Sequence, residues 1–156
     1  MVANDPHGPN SFSNFFDVHE KVMRDYVTRG FVLSDDVAAT PVGNGNFIME
    51  GTIRCLGDVD ITVEKILEVT PQDGNREPTI RTIDYHYNAR IRGVGNILRY
   101  DYPHPDHNKF HHVHRYDVFN GDDVGTLTEC NWPHLGEVIG ELEAWYYENR
   151  DRLTGA

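Results

Sequence analysis

The stretch FIMEGTIRCLGDVDITV, residues 47–63, decides how this chain folds. Phe47, Met49, Gly51, Ile53 and Cys55 alternate with Ile48, Glu50, Thr52 and Arg54. Val59, Ile61 and Val63 then alternate with Asp60, Thr62 and Glu64. A period of two belongs to strands whose two faces meet different surroundings. Leu56, Gly57 and Asp58 interrupt the alternation as a turn, so the two segments form a hairpin.

Strand-like segments continue downstream. Residues 71–78 are a polar turn between two prolines, and residues 79–91 read as a long strand. Gly93 and Gly95 break it, residues 97–102 begin a fourth strand, and residues 111–119 a fifth. Asn120, Gly121, Asp122 and Asp123 end the fifth, and residues 126–130 add a short sixth. Upstream, residues 34–46 read as a turn-rich linker. Before them Phe15, Val18, Val22, Met23 and Tyr26 recur at helical spacing, with Gly30 at the C-terminal cap, predicting a helix over 15–29. At the other end Leu135, Val138, Ile139, Leu142, Trp145 and Tyr146 form one apolar stripe, with Pro133 suited to the first turn. Residues 1–14, rich in Asn, Pro, Gly and Ser, read as a disordered tail. The expected fold is α+β. Residues 15–156 form one domain, an antiparallel meander of five or six strands with N- and C-terminal helices packed on one face.

Composition narrows the function classes. With 14 basic against 25 acidic side chains the net charge is -11, which argues against a broad nucleic-acid-binding field. Eleven of the basic residues are arginine, leaving Lys21, Lys65 and Lys109, and Asp outnumbers Glu by 15 to 10. That is the surface expected of a protein working in high salt, where screening relieves self-repulsion. Cys55 and Cys130 form neither a CxxC pair nor a disulfide framework. With no signal peptide and no long apolar run, the expected place is the cytoplasm, away from membranes.

Alternation also sorts the polar residues. Ile83, Tyr85, Tyr87, Ala89 and Ile91 are expected to share a face, opposite Asp84, His86, Asn88 and Arg90. Leu98, Tyr100 and Tyr102 oppose Arg99 and Asp101, while His112, His114 and Tyr116 oppose His111, Val113 and Arg115. If the helices cover the apolar set, the other face gathers His86, Arg99, Asp101, His112, His114 and Tyr116. Three readings stay open for the histidines at 104, 107, 111, 112 and 114. They are locally satisfied surface groups, or ligands of a divalent metal held by Asp101, His104, His107, His112 and His114. Otherwise they are metal-free acid/base groups, since an imidazole both takes and gives a proton near neutrality. RNA cleavage through the 2′-hydroxyl needs a base, an acid and a cation at the phosphate. His112, His114 and Arg99 suit those roles, with Asp101 orienting a histidine and His86 and Tyr116 supporting. No cofactor is needed for that chemistry.

The run Leu98-Arg99-Tyr100-Asp101, the cluster His111 to Asp117, and Trp132-Pro133-His134-Leu135-Gly136-Glu137-Val138 together resemble a known pattern. The chain is similar, over residues 47–147, to the TumE-type toxins of prokaryotic toxin–antitoxin pairs, with an N-terminal extension. That resemblance implies a helix-turn-helix antitoxin as partner and a toxic activity directed at RNA. The expected function is therefore a toxin-like component acting as a metal-independent ribonuclease. The alternatives are a non-enzymatic partner-binding or regulatory domain, and a histidine metal-binding protein.

Overall fold

The computed structural model describes residues 10–103, 110–121 and 132–153, and the backbone of 128–129. A short strand β1 (Asn10–Ser11) leads into α1 (Phe12–Thr28), followed by β2 (Val32–Asp35), β3 (Ala38–Gly43) and β4 (Asn46–Cys55). A single 3-10 turn joins β4 to β5 (Val59–Thr70), and β6 (Thr79–Ile91), β7 (Gly95–Asp101), β8 (His112–Arg115) and β9 (Thr128–Glu129) follow. The chain closes on α2 (Leu135–Leu153). The strands form one antiparallel sheet in the order β2-β4-β5-β6-β7-β8-β9, with β3 also on β4 and β1 on β6. The α+β meander with two terminal helices is the expected architecture. Among the described residues the sheet has nine strands rather than five or six.

The additional strands come from segments read as linker and tail. β2 and β3 occupy most of residues 32–43, and β3 pairs with β4 around the two-residue loop Asn44-Gly45. Both loop residues have positive φ, 54° and 75°. This is the primed turn that Asn-Gly favours and that matches strand twist. The exposure of β3, with Pro41 within it, is what an edge strand tolerates. At the N-terminus Ser11 accepts a hydrogen bond from the Asn14 amide at 3.2 Å and so caps α1. The helix therefore begins at Phe12 rather than at residue 15, and residues 10–14 belong to β1 and α1.

Both helices cover the same sheet face. Ile61, Val63, Tyr85, Tyr87 and Ala89 meet Met23 of α1 and Leu135, Val138, Ile139 and Leu142 of α2 in one buried cluster. A smaller cluster joins Phe12, Phe15 and Phe16 to Met49, Leu67 and Ile80. Arg29, at the end of α1, pairs with the nearly buried Glu143 of α2, tying the helices together. Gly57 lies against the Tyr146 ring, where a Cβ would come within 2.2 Å, so the β4–β5 turn admits α2 only because that residue is glycine. No helix among the described residues is long and apolar enough to cross a membrane.

One bulge corrects the face assignment. Ile66 pairs with Asp84 and Leu67 with Thr82, leaving Ile83 as an extra residue. Ile83 therefore drops out of the helix-facing row that continues through Tyr85 and Tyr87. Thr82 takes the buried position, and beyond the bulge the row passes to Ile80.

Candidate functional site on the open sheet face

On the face away from the helices, antiparallel register draws out a row that crosses five strands. Glu64 of β5 pairs with His86 of β6, His86 with Asp101 of β7, Asp101 with His112 of β8, and His112 with Glu129 of β9. One step along, Asn88 pairs with Arg99 and Arg99 with His114. Side chains opposite one another in register stand a few ångströms apart, so charge alternation along such a row is stabilising. From β5 to β8 the row alternates carboxylate and imidazole.

Asp101 is the hub. Its side chain is only 7% exposed, yet Oδ1 accepts from His86 Nδ1 at 2.8 Å and Oδ2 from Arg99 Nε at 2.8 Å. His112 Nε2 lies 3.3 Å and His114 Nε2 3.9 Å from Oδ2. A buried carboxylate is tolerable when it is paired and hydrogen-bonded in this way. Burial alone would raise the Asp101 pKa. The His86 hydrogen bond and the Arg99 charge overcome it and hold the carboxyl below its ordinary value. The His86 pKa moves up, first through its bond to Asp101, against partial burial, with Asp101, Asp84 and Glu64 adding negative potential. His86 Nε2 lies 3.7 Å from Asp84 Oδ1, so this imidazole sits between two carboxylates.

The two histidines of the His112-x-His114 pair differ. His112 is 5% exposed, and its Nδ1 lies 3.1 Å from the Phe110 carbonyl oxygen. A carbonyl only accepts, so Nδ1 carries a proton and Nε2 is turned to Asp101. His114 is 21% exposed and stacks on Tyr116, ring centres 6.4 Å apart. Tyr116 thus flanks the cluster through His114. His111, next in the chain, faces the helix side, where its Nδ1 meets the Tyr85 hydroxyl at 2.8 Å and its ring stacks on Trp132. Its pKa is lowered, by burial and then by the His112 charge.

His86, Arg99, Asp101, His112 and His114 are therefore brought together, and Tyr116 stands at their edge. His104 and His107 lie outside the described residues. Ligand atoms of Asp101, His112 and His114 fall within 4.8 Å of one another, and the group could hold a metal ion. Alternation placed Asp84 on the face of His86, but sequence reasoning missed Glu64 as its cross-strand neighbour. The β5–β6 turn alone, with Thr70 opposite Thr79, would set Val63 against His86, and only the extra Ile83 shifts the register to bring Glu64 there, so no local signal could have found it. Compared with family models, curated proteins and solved structures, the chain matches none.

Proposed function

We propose that the open sheet face is a metal-independent acid/base site that cleaves an RNA phosphodiester, the catalytic part of a toxin-like protein of a two-gene pair. The observation that carries this reading is the shared Asp101 carboxylate, surrounded by a guanidinium and two imidazoles that reach solvent. Arg99 is 45% exposed, His86 38% and His114 21%, so all three can meet a substrate. His112, at 5%, cannot. It is a positioning residue, and the acid/base pair becomes His86 and His114 in place of His112 and His114.

The chemistry then divides by environment. His86, whose pKa is raised by its bond to Asp101, holds its proton the more firmly and gives it to the leaving 5′-oxygen. His114 accepts the 2′-hydroxyl proton as that oxygen attacks phosphorus. The P–O5′ bond breaks, leaving a 2′,3′-cyclic phosphate and a 5′-hydroxyl. Arg99 neutralises the non-bridging oxygens while Asp101 fixes its orientation and that of His86.

A second reading has its own observation. The His112 Nδ1–H to Phe110 carbonyl bond, with Nε2 beside a carboxylate, is the arrangement that orients a metal-ligating imidazole. Against it, Arg99 already places a cation on the same Oδ2. Purified protein should cleave an RNA oligonucleotide to cyclic-phosphate ends with chelator present, and leave the DNA counterpart intact. His86→Ala and His114→Ala should each lower the rate by about 10²-fold or more. Loss of cleavage in chelator, restored by one divalent ion, would install the metal reading instead. In cells, expression without the neighbouring gene should slow growth and His114→Ala should relieve it. Equal growth for vector, wild type and variant would leave the partner-binding alternative standing.

A further inference from the structure

The helix-facing side of the sheet carries a second polar feature. Lys65 of β5 lies in the row of Val63 and Leu67, opposite Tyr85 in register, and so points toward α1 rather than toward the His/Asp site. It borders a cavity of about 90 Å³ between α1, the sheet and the first residues of α2. Phe15, Val18 and Val22 supply apolar wall, and Asn10, Thr82 and His134 polar wall. In a chain with 25 acidic residues, no carboxylate among the described residues lines this space.

The ammonium has no hydrogen bond or ion pair among the described residues. Its neighbours are the rings of Phe15 and Tyr87, each with its centre 5.7 Å from Nζ. Ring faces attract a cation but leave its hydrogen-bond donors unmet. Burial pushes the Lys65 pKa down to about 8, so the amine is still mostly charged at neutral pH. His19, beside it, is pushed toward the neutral form by burial and then by the Lys65 charge. A half-buried charge without a counter-charge among the described residues is costly, and a substitution to an apolar residue would remove that cost. The first turn of α2, at His134 to Gly136, adds the positive end of a 19-residue helix to the same wall.

We propose that this cavity is a binding site for a small carboxylate of two to four carbons, its charge on Lys65 and its alkyl tail against Phe15 and Val18. The polar rim at Thr82 and Asn10 offers further hydrogen bonds. The volume admits a ligand of a few non-hydrogen atoms and excludes a nucleotide. The site lies on the opposite sheet face from the one proposed for RNA, so either can fail without the other.

The test uses the full chain and sodium butyrate, titrated at constant ionic strength and followed by calorimetry and by amide NMR shifts. Butyrate should saturate, with shifts at Thr82 and Gly136. Uncharged butyramide should not, and chloride should compete only weakly. Lys65→Met, which keeps the volume and removes the charge, should weaken butyrate at least about tenfold, and Lys65→Arg should retain binding. Dispersed amide spectra of Lys65→Met verify its folding. Should the variant not fold, the Lys65 Nζ titration in the wild type decides, because bound butyrate must move it upward. Non-saturating butyrate, equal binding of butyramide, equal affinity for chloride or undiminished binding by Lys65→Met would each overturn the proposal.

Discussion

His111 and His112 are neighbours in the chain, and the sheet sends them into opposite worlds. His111 enters an aromatic stack with Tyr85, Tyr102 and Trp132, where its Nδ1 meets a phenol and its charge is disfavoured. His112 enters a polar lattice in which Asp101 is ringed by Arg99 and three imidazoles. The same division separates whole faces. Tyr85 and Tyr87 are fully buried under the helices, while Asp84 and His86, alternating with them, remain partly open. One face stabilises by apolar burial. The other holds electrostatic order at the surface, which contributes less to folding and leaves groups able to react.

Three perturbations bear on that division, in decreasing size. Tyr87→Ala, on the helix-facing side, should cost about 3–5 kcal/mol through lost burial and a cavity, read by urea unfolding. An effect below 1 kcal/mol would mean that the helices do not seal this face. Asp101→Asn removes the charge that Arg99 and His86 are paired with. It should cost roughly 2 kcal/mol, below the usual loss for a broken buried pair because Arg99 and His86 reach water. The same variant should lose cleavage activity even at temperatures where it is fully folded. Retained activity would free Asp101 of its organising role.

The smallest perturbation is the most discriminating, because the two faces predict opposite signs. His86 has a folded pKa above its unfolded value of about 6.5, so its contribution is full below that pH. That contribution is lost as pH rises through the folded value. His111 has a folded pKa below the unfolded one, so its contribution is present above pH 6.5 and lost as pH falls through the folded value. The destabilisation caused by His86→Gln should therefore be larger at pH 5.5 than at pH 8.5. That of His111→Phe should be larger at pH 8.5. Each difference should stay under about 1 kcal/mol, since both rings are partly solvated. Parallel trends in the two variants would erase the distinction between the faces.

Much of the fold was legible because its signals are local. The alternation over residues 47–63 and the apolar stripe of α2 report their own period without reference to the rest of the chain. The Asn44-Gly45 turn was equally local, and it was hidden by reading residues 34–46 for their polarity instead of for a primed turn between two strands. Ile83 was a different matter. A bulge is set by how two strands pair, and nothing in Thr82-Ile83-Asp84 itself says that one residue is extra.

The site divides along the same line. Alternation within β7 and β8 was enough to place Arg99 and Asp101 on one face and His112 and His114 on one face, because side chains two apart always point the same way. Which partner Asp101 takes was decided only by the sheet. His86 lies 15 residues away and reaches the carboxylate through the β6–β7 register, and the Phe110 carbonyl turns His112 inward. Burial, which makes His112 a support and leaves His86 and His114 exposed, depends on all the strands at once. Lys65 carries the same lesson. Its alternation put it with Val63 in the sequence, but only the packing of α1 and α2 over that row left a lysine facing a cavity that no described acid lines.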